Sequence, residues 1–156
     1  MKDFGPRFLH IDLDTVITAD ITPIVQRTEP LVCWRAHYAD VFSPAFMLMD
    51  TGYLHPLWEA FRADPEGYPA STGIQNPSDL AMLNHYLKTS GASPAFWDER
   101  HGFVAYFGKG YEREQHLGIG LTSKVLPRGT KVVVLGGADK YILDQGLTPW
   151  ARACWN

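Results

Sequence analysis

Asp12-Leu13-Asp14 stands at the end of the apolar run Phe8-Leu9-His10-Ile11. In a strand, residues i and i+2 point to the same face, so the run predicts two carboxylates side by side. Paired carboxylates repel each other unless something positive sits between them. Mg2+ and Mn2+ meet that need with hard oxygen ligands, typically one or two carboxylates plus substrate phosphates. The pair is a candidate metal–diphosphate anchor, and it also reads as an ordinary acidic turn at a strand end. His10 shares the predicted face. It is either a third ligand or a hydrogen-bonded histidine of the sheet interior.

Few other residues stand at spacings that do chemistry. Cys33 and Cys154 lie far apart with no CxxC or Cys/His spacing, which excludes a cysteine-built zinc site. A reduced buried thiol and a disulfide between the two both remain open. Gly136-Gly137 lacks the G-x-G-x-x-G or P-loop context that a phosphate cradle needs. Ser/His/Asp and Cys/His triads have no local signature here.

The elements that must position the pair are strands and helices in alternation. Phe8–Ile11, Leu31–Trp34, Ala45–Met49 and Lys131–Leu135 are apolar runs of strand length, with a further strand around Val104–Phe107. Asp50-Thr51-Gly52 predicts a turn. Thr22 and Pro23 suit the N-cap and first position of a short helix. Leu54, Leu57, Trp58 and Phe61 recur at helical spacing, and Asp64-Pro65-Glu66-Gly67 ends that helix. A second amphipathic helix starts at Ser78 as N-cap, carries Leu80, Leu83, Tyr86 and Leu87 on one face, and ends at Ser90-Gly91. The stretches 68–77 and most of 98–123 read as loop. Together these predict an α/β fold, a mixed sheet with flanking helices.

Composition bounds the function. The chain has 156 residues, and that length suits a single domain spanning 1–156 with a sizeable core. Its 14 basic and 17 acidic residues sum to −3, which gives a nucleic-acid-binding role no electrostatic support. Charged residues make up 20%, too few for a disordered chain that also carries strong apolar segments. No stretch has the length of a signal peptide core or a membrane span, so a soluble cytoplasmic protein is expected.

Two enzyme classes use an apolar strand ending in D-x-D. Haloacid-dehalogenase-like phosphatases employ the first Asp as nucleophile and the second as general acid. They expect a following Gly, and here Thr15-Val16 follows. Metal-dependent glycosyltransferases use D-x-D to hold the metal that bridges the phosphates of a nucleotide-sugar. Phe8 to Ile21, read whole, resembles the D-x-D strand and turn of GT-A fold glycosyltransferases, in particular family 8-like bacterial and phage enzymes. Later segments follow the same order: Phe46–Gly52, the helix around Leu57–Phe61, Ser78-Asp79-Leu80 at a "G-D-Q" position, Leu126-Pro127-Arg128-Gly129 at an "L-P-x-G" turn, Val132–Gly137, Lys140, and Trp150 to Trp155.

The resemblance implies roles. Asp12 and Asp14 would hold Mn2+ or Mg2+ on the diphosphate of a donor such as a UDP-sugar. Lys140 would neutralise diphosphate charge, or is a solvated loop residue. Asp79 would bind the donor sugar or orient the acceptor, or is a carboxylate favoured by the helix macrodipole. Trp150 and Trp155 would stack on a sugar or base, or pack the C-terminal segment onto the sheet, as Trp34, Trp58 and Trp97 are read to do. The sequence also departs from the family. Gly136 replaces a metal-binding His, Leu80 replaces the Gln of "G-D-Q", and Ser43 stands where relatives carry Asn. The family's N-terminal nucleotide-binding half has no counterpart before residue 12.

Beside a haloacid-dehalogenase-like phosphatase as the minor alternative, those departures leave two main expectations. One is a metal-dependent transferase acting on a nucleotide-sugar, alone or within an assembly. The other is a degenerate, non-catalytic relative that pairs with a second copy or a partner chain and so covers the sheet edge that would otherwise be exposed.

Overall fold

The computed structural model describes residues 5–36, 41–73, 75, 77–107, 126–136 and 149–154. The strands among them form two sheets. In the first, β1 (Arg7–Ile11), β4 (Val41–Asp50), β3 (Leu31–Ala36) and β5 (Ala95–Trp97) lie side by side in that order. β1 and β3 run antiparallel to β4, and β5 runs parallel to β3. In the second, β7 (Val132–Gly136) lies between β2 (Thr15–Ile17), antiparallel to it, and β6 (Phe103–Phe107), parallel to it. The helices are α1 (Thr22–Val25), α2 (His55–Ala63), α3 (Gly67–Ser71), α4 (Asp79–Ser90) and α5 (Pro149–Cys154).

The α/β class and the mixed pairing are as the sequence predicts, but the strands divide between two sheets rather than one. The cause is visible in the apolar runs. A strand that is apolar at successive positions must be covered on both faces. Alternation sends Val32, Trp34, Phe46 and Leu48 to one side of the first sheet and Leu31, Cys33, Met47 and Met49 to the other. Val132 and Val134 of β7 join the first group, together with Phe103 and Trp97, and form the core between the sheets. Leu83 and Leu87 of α4 cover Leu31, Cys33, Met47 and Met49 on the outer face. Val133, Leu135 and Val16 turn outward on the second sheet, where Trp150 of α5 packs against them. Trp150 thus takes the packing role of its two expected ones.

Local chemistry explains the element ends. Ser78 caps α4 by accepting from the Ala81 amide at 3.3 Å, and Gly91 closes it at φ 69°. Both agree with the sequence. At α1 the cap is Ile21 rather than Thr22, and the Asp20 carboxylate accepts from the Thr22 amide at 2.9 Å instead. β4 extends upstream of the predicted run and includes Pro44. Proline is tolerated there because the ladder is interrupted: Cys33 pairs with Met47, and Trp34 pairs with Ser43. Ser43 is buried and accepts from the Ala45 amide at 3.2 Å, closing the bulge. Asn84 of α4 reaches the same strand, donating to the Phe42 carbonyl at 2.7 Å and accepting from its amide at 2.9 Å. The segment after Gly67 contains the short α3, and Ala95–Trp97 forms β5, both where loop or no element was predicted.

The two cysteines are free. Cys33 lies in the core, and burial pushes its thiol up to about 12, so it carries almost no reactive thiolate. Cys154 is exposed at the end of α5. A thiol reagent such as dithionitrobenzoate is therefore expected to titrate Cys154 alone in native protein and both thiols in denaturant. Native labelling of Cys33 at a rate near that of Cys154 would contradict the buried position.

No helix among the described residues is long and apolar enough to cross a membrane.

Candidate functional site

Asp12 and Asp14 belong to a turn, not to the end of a strand. β1 stops at Ile11, the Thr15 amide donates to the Asp12 carbonyl at 3.1 Å, and β2 begins at Thr15. This turn carries the chain from the first sheet to the second. The Asp12 amide donates to the Ala45 carbonyl of β4 at 2.9 Å, and the Leu135 amide of β7 donates to the Asp14 carbonyl at 2.8 Å. Strand alternation therefore extends to Asp12 and fails at Asp14, whose place is set by the turn. Leu13 stands at the tip, fully exposed.

His10 is hydrogen-bonded but not interior. Leu9 and Ile11 take the inward positions of β1, while His10 faces outward with its side chain 44% exposed. Its Nε2 lies 3.0 Å from Asp12 Oδ1. The shared face of positions 10 and 12 is thus real, and it serves a His–Asp pair.

The fit to a metal follows from this geometry. One Asp12 oxygen is already engaged by His10. Among the described residues, no group of three or more His, Cys, Asp or Glu is arranged to hold a metal ion. A divalent cation at this turn would draw on the carboxylates of Asp12 and Asp14 and rely on ligand phosphates for most of its shell. Lys140, Gly137 and Trp155 lie outside the described residues.

Asp79 is brought near this region by the packing of α4. It occupies the first position of the helix, and its Oδ1 accepts from the Leu80 amide at 2.8 Å. Asp79 and His10 line one cavity of about 410 Å3, between the outer face of the first sheet and helices α2 and α4. Pro44 and Met47 form its sheet side; Leu54, Leu57, Trp58 and Phe61 come from α2 and its approach; Met82 and Leu83 come from α4. Among the described residues, eight apolar side chains and two ionisable ones, with no Lys or Arg, make the lining. The volume lies in the range of small-molecule sites, which are mostly apolar with a few orienting polar groups.

The sequence did not single out this cavity, because its apolar wall reads as ordinary core. Trp58 was expected to pack inward. Instead it is 51% exposed, its ring 6.0 Å from that of Phe61. No residue of α2 is buried. An amphipathic helix normally buries its apolar stripe against a core; here Leu54 packs beside the outer core while Leu57, Trp58 and Phe61 line a cavity. The signal was present in the spacing of Leu54, Leu57, Trp58 and Phe61, but only the packing of distant residues around them shows what they line.

The arrangement can hold a compact apolar body against Trp58 and Phe61 while His10, steadied by Asp12, and Asp79 address its polar end. Comparison with known protein families, with curated proteins and with solved structures finds no match to this chain.

Proposed function

We propose that this protein binds a small, largely apolar organic molecule in the cavity between α2, α4 and the first sheet. The observation that carries the proposal is the lining itself: a 410 Å3 space walled, among the described residues, by eight apolar side chains and two ionisable ones, His10 and Asp79. Apolar burial supplies the affinity, at about 25 cal/mol per Å2 removed from water. The His10–Asp12 pair and Asp79 supply orientation.

A second reading is favoured by a separate observation. Asp12 and Asp14 share one turn, both partly exposed, and Asp12 connects through His10 to the cavity that Asp79 lines. In this reading the protein is a glycosyltransferase-like chain of GT-A ancestry. Asp12 and Asp14 would meet Mn2+ or Mg2+ on a nucleotide-sugar diphosphate, and Asp79 would contact the sugar.

One thermal-shift panel separates the two. It contains apolar aromatic and aliphatic probes, and UDP and GDP with their sugars, each with and without Mn2+. A ligand of the folded state at 100 times its Kd stabilises by about 2.7 kcal/mol, which for a chain of this size raises Tm by about 5–10 °C. The first reading expects that rise from apolar probes without metal, and at least about tenfold weaker binding in Trp58→Ala. A rise seen only with nucleotide and Mn2+, and lost in Asp12→Ala, would replace it with the second. A panel with no response would remove both.

A further inference from the structure

Resting on the cavity reading, we infer that the ligand is an organic cation: a protonated amine carried on an aromatic or similarly compact apolar body. The charge of the lining points one way. Asp79 contributes a carboxylate to the lining, and no Lys or Arg stands beside it among the described lining residues. His10 is held 3.0 Å from Asp12. The pair is neutral if the imidazole is charged and negative if it is not. Neither state presents net positive charge to the cavity.

Among the described residues, the N-terminus of α4 would favour an anion instead, with a partial charge of roughly +0.5. Two of its end donors are already used within the chain. Asp79 Oδ1 accepts from the Leu80 amide, and Ser78 Oγ accepts from the Ala81 amide. An incoming anion would find those two amides taken and a carboxylate beside them. The carboxylate outweighs the half-charge of the helix end, so the local field remains negative.

The wall completes the case. Trp58 is half-exposed, and its ring stands beside Phe61 within the same cavity. An indole face attracts a cation through its quadrupole, most strongly where water is excluded. An ammonium group near Asp79, with its apolar body against Trp58, satisfies both the charged and the apolar parts of the lining. A carboxylate-bearing ligand would satisfy only the second and would meet like charge.

The test uses three probes that share a phenyl ring and a two-carbon spacer: phenethylamine, phenethyl alcohol and hydrocinnamate. Isothermal titration with the full chain is expected to show phenethylamine binding at least about tenfold more tightly than either of the others, in proportion to about 1.4 kcal/mol of discrimination. Asp79→Asn keeps an oxygen for the Leu80 amide and removes the charge, so it should fold and should bring the amine-to-alcohol ratio close to one. Hydrocinnamate binding as tightly as the amine would overturn the cation inference while leaving the cavity reading intact. So would an amine preference unchanged in Asp79→Asn. Failure of all three probes, alongside a silent thermal-shift panel, would overturn the cavity reading and this inference with it.

Discussion

Replacing Trp97 by alanine is expected to destabilise the protein by about 3–5 kcal/mol. Trp97 is fully buried between the two sheets. Its ring stacks on Phe103 at 5.5 Å and meets Phe46 edge-on at 5.4 Å, while Phe46 and Phe103 meet edge-on at 5.0 Å. Three aromatic rings from β5, β6 and β4 thus form the centre of the core that joins the sheets. Trp97 Nε1 also donates to the Ile24 carbonyl at 3.1 Å, tying α1 to that centre. Alanine would leave a cavity and orphan the carbonyl acceptor. Total stabilities of such chains are about 5–15 kcal/mol, so the loss takes a large share. Urea unfolding should show a lower midpoint with an unchanged m-value. Trp97→Phe keeps an aromatic filler and loses the donor, and should fall between. Trp58→Ala, at a half-exposed position, should cost about 1 kcal/mol or less. Similar losses at Trp97 and Trp58 would mean that the sheets do not share this core.

Gly102→Ala is expected to cost about 2–4 kcal/mol, from strain and overpacking together. Gly102 follows the 3-10 turn Glu99–His101 and adopts φ 88°. That turn is held by Asp98, which accepts from the Arg100 amide at 3.0 Å and sits 2.8 Å from His101 Nδ1. The Gly102 carbonyl then accepts from the amides of Lys131 and Val132 at 2.8 and 3.1 Å, starting the parallel β6–β7 pair. A Cβ at this position would lie 2.6 Å from the Gly129 carbonyl oxygen. The obstacle is backbone, and it belongs to the Pro127–Thr130 turn that feeds β7, so neither side can yield without shifting the sheet. Gly52 provides the control. Its φ is 90°, but nothing lies within 4 Å of an added Cβ. Gly52→Ala should therefore lose only the left-handed backbone penalty, about 1–2 kcal/mol. The difference between the two variants in thermal or urea unfolding measures the close approach at Gly102. Equal losses would show that the backbone contact with Gly129 does not form.

Much of the local structure was legible in the residues. The Ser78 cap, the Gly91 stop, the strand runs around Leu31, Met47 and Val133, and the helix of Leu54 to Ala63 all follow from short-range preferences and apolar period. These effects act within a few residues, so a single chain reveals them. The misses share a different cause. Pro44 is compatible with β4 only because a bulge against β3 removes the need for its amide. Ala95–Trp97 is a strand only because β3 offers an edge beside it. Trp58 reads as a core residue because helical spacing does not say whether the facing element is in contact or held away.

The candidate site divides along the same line. His10 and Asp12 could be placed together from sequence, since residues two apart in a strand share a face, and their 3.0 Å contact bears that out. Asp14 could not, because the strand ends at Ile11 to let the chain change sheets, and the turn takes over from alternation. The meeting of His10 with Asp79 and Trp58 around one cavity is wholly a matter of tertiary packing. Period and propensity along the chain settle the α/β class, the apolar faces of each element and the shared face of His10 and Asp12. The division of the strands between two sheets, and the cavity that α2 lines beside the first of them, emerge only on folding. Both depend on contacts between residues far apart in the chain, which no short-range pattern encodes.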